Sequence, residues 1–175
     1  MAGTLILGID PGLRFTGWGI VESDGNRLRH VADGVLATDA DTPVPERLRT
    51  LHHGLTALIV LHRPAEAAVE ETYVNRNGAA TLKLGYARGV ALLTPALAGL
   101  AVAEYGAKMV KRAVVGNGNA DKMQVAEMVR RLLPGAALHG AARRGADASD
   151  ALAVAICHAH HRSTNLVIAR ATVMA

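Results

Sequence analysis

The sequence predicts an α/β fold, a mixed five-stranded sheet flanked by helices. Three observations carry that expectation. Three strand-like segments separated by turn residues open the chain, and short apolar strand segments then alternate with segments of helical period, the order of a mixed sheet covered by helices. Half of the 175 residues are hydrophobic, supplied mainly by Ala, Val and Leu with only 3% aromatics, which suits helices packed closely on a sheet. A chain of this length builds one core; we read residues 1–162 as the domain and 163–175 as a C-terminal tail.

Taken in order, Thr4 to Asp10 is a short apolar run closed by Pro11 and Gly12, a buried strand followed by a turn. Gly17 to Glu22 follows at hairpin distance, and Asp24-Gly25 turns the chain into a third strand from Arg27 to Leu36. Thr42-Pro43 resembles a helix N-cap and first turn, with Leu48, Leu51, Leu55, Leu58 and Ile59 at helical spacing behind it. Ala67 to Glu70 is the fourth strand and Val74 to Gly78 a polar loop. Ala79 to Leu93 is helical, and the spacing of its Gly85 and Gly89 points to close packing in a soluble fold rather than to membrane dimerisation. Leu100 to Ala103 is the fifth strand and Ala107 to Val114 a helix. GNGNA reads as a flexible loop, and Asp121 to Leu133 is a helix ended by Pro134 and Gly135. A last helix runs from near Ala146 to about His161, and the remaining tail has no clear period.

Charge narrows the function. Lys and Arg number 19 against 15 Asp and Glu, a net +4, so the acidic clusters described next sit in a basic background that fits a polyanionic substrate. The single Cys157 excludes an intrachain disulfide and a multi-cysteine zinc site, and points to a reducing compartment. Residues 1–9 lack the pattern of a signal peptide. The apolar stretch Val90 to Ala103 is interrupted by Thr94 and Pro95 and is shorter than the roughly 20 residues that span a bilayer. The expectation is a cytoplasmic protein with no membrane association.

Acidic residues mark the candidate site. Asp10 closes an apolar strand, and Asp147 and Asp150 share one face at i and i+3 of an otherwise apolar helix. Unpaired charge beside core surface is expensive, and a divalent cation is the simplest group that holds several such carboxylates together. Glu70 and Glu71, adjacent on a strand, point to opposite sides of the sheet. Only one can join Asp10, and periodicity leaves the choice open. Asp147 read alone is equally a helix-start acid favoured by the dipole. GIDPGLRFTGWGI reads either as a metal-holding strand end or as a phosphate-wrapping turn like that of the sugar kinase, actin and heat-shock ATPase superfamily, whose members are much longer and carry a second phosphate loop.

Five segments, LGIDPGLRFTGWG, VEETYVNRN, LKLGYARGVAL, VKRAVVGNGNADKMQV and DASDALAVAICH, resemble in that order the RuvC family of Holliday junction resolvases, and together they cover most of residues 5–158. The resemblance implies a ribonuclease H-like fold and a structure-selective endonuclease that resolves four-way junctions by paired symmetric nicks in homologous recombination and DNA repair. It implies catalytic, metal-binding carboxylates at Asp10, Glu70, Asp147 and Asp150, selecting Glu70 over Glu71, and two Mg²⁺ ions, with Mn²⁺ able to substitute. Such ions, roughly 4 Å apart, activate a water and stabilise the leaving oxygen. Asp10 would bridge them, Glu70 hold one, and Asp147 with Asp150 the other. Where some relatives carry His at the position of Asp147, this chain has a hard oxygen donor. The resemblance further implies DNA contacts by Tyr73, stacking on an unpaired base, and by Arg76, Lys111 and Lys122. His158 and His161 lie too far along the helix from Asp150 to be ligands. Two symmetric nicks from one active site per chain imply a C2 homodimer, and the family works beside the branch-migration proteins RuvA and RuvB. A nucleic-acid binding module of the same fold without catalysis is the alternative, against which the presence of all four carboxylates counts.

Overall fold

A computed structural model describes residues 3–72, 78–136 and 144–173. Strands β1 (Thr4–Asp10), β2 (Phe15–Asp24) and β3 (Arg27–Ala37) lead into helix α1 (Val44–His62). Strand β4 (Glu66–Glu70), helix α2 (Gly78–Leu97) and strand β5 (Ala101–Tyr105) follow, and helices α3 (Ala107–Val115), α4 (Lys122–Leu132) and α5 (Arg144–Val173) complete the order. The five strands form one sheet in the order β3-β2-β1-β4-β5. β1, β2 and β3 pair antiparallel, while β4 runs parallel to both β1 and β5. The mixed sheet expected from the sequence is the one observed.

Period-two alternation sends neighbouring residues of β1 to opposite faces. Ile6, with Val21 and Ala68, packs beneath Val110 and Val114 of α3, Val125 and Val129 of α4, and Leu152 and Ile156 of α5. Leu7 and Ile9, with Ile20, Ala67 and Val69, face Leu55 and Ile59 of α1 and Ala91 of α2. Ile6, Leu7 and Ile9 have no solvent exposure, and each such side chain contributes about 1.5–3 kcal/mol relative to an exposed one. Because both faces are covered, the central strand reads as a nearly unbroken apolar run.

Several boundaries differ from expectation. Pro43, rather than Thr42, occupies the N-cap position of α1, and no side chain caps it; the second proline, Pro45, takes the first turn, where a missing N–H is harmless. α2 begins at Gly78, which sequence assigned to a loop, and continues through Pro95 to Leu97, although a proline there gives up the amide bond to the carbonyl four residues back. A Cβ built on Gly85 or Gly89 meets nothing within 4 Å, so these glycines permit no close approach inside the fold. GNGNA is a defined turn: Gly116 takes φ 80° as the left-handed end of α3, and the Asn119 amide donates to Asn117 Oδ1 at 3.0 Å. α4 starts on a capping box, Asp121 accepting from the Gln124 amide while Gln124 accepts from that of Asp121. α5 extends through the tail to Val173; Leu166, Ala169, Arg170 and Ala171 are good helix formers and no Pro or Gly intervenes. Among the described residues, no helix is long and apolar enough to cross a membrane.

Candidate active site

Parallel pairing of β1 with β4 in the register Ile9↔Val69 puts the strands' last residues, Asp10 and Glu70, side by side at the carboxyl edge of the sheet. Brackets of this kind, at the ends of parallel strands where the strand order reverses, are where open α/β sheets bind ligands. α5 crosses over β1 and β2 and brings Asp150 to the same edge. It lies so close to the sheet that a Cβ on Gly8 would sit 2.1 Å from the Ala151 carbonyl oxygen, and one on Gly17 2.0 Å from that of Asp147. Glycine at these two strand positions is what lets helix backbone touch sheet backbone.

Asp10, Glu70 and Asp150 line one cavity of about 230 Å³ together with Lys111 of α3 and Lys122 of α4. Burial, followed by the charges of Asp150 and Asp147, raises the Asp10 carboxyl to about 6. Burial, followed by the charges of Asp10 and Asp150, raises that of Glu70 to about 8. A side-chain hydrogen bond joins the pair, and Glu70, the weaker acid, is the partner that keeps the proton. Lys122 Nζ donates to Asp150 Oδ2 at 3.0 Å, and that contact, first among the causes, raises the lysine above its ordinary range. Proton and ammonium thus occupy the places of counter-charge among three carboxylates.

Asp147 is half-buried on the same helix. Its charge acts on Asp10, but it does not line the cavity. Among the described residues, no three His, Cys, Asp or Glu side chains converge closely enough to hold a metal ion. The chemistry of the donor set nevertheless fits a hard divalent cation: three carboxylates on one cavity, two of them made weaker acids than usual by burial and mutual repulsion, and oxygen donors only. Their separation follows from the charge balance, since Asp150 turns to Lys122 and Glu70 shares its proton with Asp10. Lys111 and Lys122, singled out by resemblance, both reach the cavity; Tyr73 and Arg76 lie outside the described residues.

Sequence reasoning missed a polar network 12 Å further along α5. The Tyr105 hydroxyl lies 2.8 Å from His158 Nδ1, and His158 Nε2 lies 2.7 Å from Glu66 Oε2. Arg162 Nε donates to Glu66 Oε1 at 2.7 Å, and the His161 ring stacks on Tyr105 at 5.4 Å. Burial would raise the Glu66 carboxyl, but hydrogen bonds from Arg162 and His158 outweigh it and hold the group below its usual range. Glu66 opens the strand that Glu70 closes, and His158 stands eight residues, about 12 Å, after Asp150. The network therefore fastens α5 to β4 at the far end from the cavity. Contacts across 92 residues leave no local signal by which the sequence could reveal them.

The family model for crossover junction endodeoxyribonuclease RuvC matches residues 6–158. The chain is 72% identical to the crossover junction endodeoxyribonuclease RuvC of Gluconacetobacter diazotrophicus over 97% of its own length and 98% of the relative's. It is 69% identical to that of Granulibacter bethesdensis, covering 97% of this chain and 93% of the other. Among solved structures, Thermus thermophilus RuvC in complex with Holliday junction substrate superimposes with a TM-score of 0.83 at 34% identity, over 93% of this chain and 96% of that one. The ribonuclease H-like architecture expected from the motif blocks is the fold these structures share. With its matched blocks, its length and its sheet order all in agreement, the chain belongs to the RuvC family of crossover junction endodeoxyribonucleases.

Proposed function

We propose that this protein is a Holliday junction resolvase, an endonuclease that hydrolyses phosphodiesters in two strands of a four-way DNA junction during recombination and repair. One observation carries the reading: Asp10, Glu70 and Asp150 share a cavity with Lys111 and Lys122, in a chain of this family. Carboxylates without cations would repel a phosphate, and lysines alone would bind it without chemistry. Together they fit a site in which Asp10, Glu70 and Asp150, with Asp147 at its margin, would hold Mg²⁺, two ions by family resemblance, with Mn²⁺ able to substitute. Bound there, such ions supply an activated water and stabilise charge on the leaving oxygen. The protein's own part is to hold Asp10 and Glu70 at strand ends and Asp150 on α5, and to place Lys111 and Lys122 against the phosphate backbone. Tyr73 and Arg76 complete the proposed DNA contacts.

Paired nicks require two such sites, hence a homodimer with two-fold symmetry. The outer face of α2 suits that role. Leu82, Tyr86 and Leu93 are 57%, 42% and 57% exposed at helical spacing, and Gly85 and Gly89 between them leave open space, so a second copy can approach closely. The likeness to these relatives supports a cytoplasmic enzyme that works, by resemblance, beside RuvA and RuvB. The test incubates protein and Mg²⁺ with a synthetic four-way junction and, separately, with linear duplex of the same sequence. Selective, symmetric nicking of the junction is expected; equal cleavage of both substrates, or of neither, refutes the proposal.

A further inference from the structure

α3 places three cations within five residues, Lys108, Lys111 and Arg112, and among the described residues none of them makes an ion pair. Elsewhere the basic side chains are commonly answered: Arg29 by Glu22, Arg88 by Glu104, Arg130 and Arg131 by Glu127, Arg162 by Glu66. The helix is held by Val110 and Val114, which are buried in the core, so its cations are presented on a rigid element rather than on a loop. They divide between two cavities. Lys111 lines the carboxylate cavity, while Lys108 and Arg112 line a neighbouring one of about 330 Å³ with Glu71, Glu104 and Gly106. Lys108 and Arg112 are one turn apart on one flank, about 6 Å along the axis, and Lys111, between them in sequence, is the cation that turns to the carboxylates.

The charge of the second cavity is less mixed than its composition implies. Arg88 Nε and Nη2 both donate to Glu104 Oε1, at 2.8 and 2.5 Å, leaving Glu71 as the carboxylate opposed to two cations. Glu71 follows Glu70 directly on the strand side, so its repulsion drives an anion toward α3. A continuous anion that enters the carboxylate cavity past Lys111 must leave it over this groove or on its opposite side.

We propose that the groove between β5 and α3 is a second phosphodiester subsite, in which Lys108 and Arg112 bind the backbone of the DNA strand next to the phosphate held at the carboxylate cavity. The inference rests on the junction-resolvase reading and extends it to residues which that reading does not use. One turn of helix between the two cations is comparable with the step between neighbouring phosphates, so each can take its own. These are positioning contacts that fix which phosphate reaches the carboxylates and carry no base information.

The experiment measures binding of a fluorescent four-way junction and of linear duplex in EDTA, by anisotropy across about 50 to 200 mM salt. Wild type is compared with the double variant Lys108→Ala/Arg112→Ala and with Arg130→Ala/Arg131→Ala, which removes the same charge from α4. Loss of two phosphate contacts lowers the slope of log affinity against log salt by about 1.8 in the α3 variant, with a tenfold or greater loss of affinity, while the α4 variant keeps the wild-type slope. An unchanged slope in the α3 variant, or an equal fall in both variants, overturns the subsite. Failure of the wild type to prefer the junction would instead overturn the functional reading beneath it.

Discussion

Asp10→Asn should stabilise the metal-free protein at pH 8. In the folded chain burial and neighbouring charge hold this carboxyl at about 6, against an ordinary 3.8. A group raised on folding contributes stability that is fully present below its unfolded value, near pH 4, and is lost as pH rises through about 6. At pH 8 the ionised form therefore opposes folding by at most about 3 kcal/mol, at 1.36 kcal/mol per pH unit. The cavity's opening to solvent reduces this to about 1–2 kcal/mol. Asparagine is neutral, nearly isosteric, and keeps an oxygen to accept from Glu70. At about 2–4 °C per kcal/mol for a chain of this size, the variant should melt roughly 2–8 °C above wild type in EDTA at pH 8, and the difference should vanish toward pH 4. Calorimetry or dye-monitored melting across that range reads it directly. Mn²⁺ should raise the wild-type midpoint, by about 2.7 kcal/mol at a hundredfold excess over its dissociation constant, and leave the variant nearly unmoved. A variant that melts at or below wild type in EDTA at pH 8, or a gain independent of pH, would refute the claim that the site is strained by charge.

Other expectations follow from particular contacts. Ser149 is 2% exposed and its Oγ has no hydrogen-bond partner among the described residues, so Ser149→Ala should raise stability by about 1 kcal/mol, measured by urea unfolding. Gly17→Ala puts a methyl 2.0 Å from the Asp147 carbonyl; the lifted helix should cost about 2–3 kcal/mol and reduce junction cleavage with little change in junction binding. Glu66→Gln weakens charge-assisted bonds to Arg162 and His158 and should cost about 1–2 kcal/mol. Because the Glu66 carboxyl is lowered on folding, that contribution is present above its unfolded value of 4.5 and disappears as pH falls through the lower folded value, so wild type and variant should converge in acid melts. Gly89→Lys on the open face of α2 should shift the protein toward monomer in sedimentation and replace paired cuts by single nicks.

The sheet was legible because its signals are local. Asp24-Gly25 forces a turn, and the unbroken apolar run of β1 marks a strand covered on both faces. Asp10 and Glu70 were also readable as strand-end carboxylates, although choosing Glu70 over Glu71 required the family resemblance; the parallel register of β1 with β4 now supplies the geometric reason. What escaped the sequence is long-range. Nothing near Glu66 foretells His158, and nothing near Asp150 foretells that Lys122, 28 residues away, donates to it. Spacing alone likewise left open what packs against Gly85 and Gly89, because it does not say which face of a helix the sheet covers.

The docking of α5 through bare glycine backbone has a consequence for the order of synthesis. Every described element except α5 precedes it in the chain, so a nascent chain carrying the sheet, Asp10 and Glu70 still lacks Asp150 and the wall that closes the cavity. Domains fold progressively as they emerge, and here the residues that would cut DNA meet only when the last helix settles onto Gly8 and Gly17. A chain that stops before α5 is therefore expected to cut no DNA, which a junction-cleavage assay of such a truncation checks.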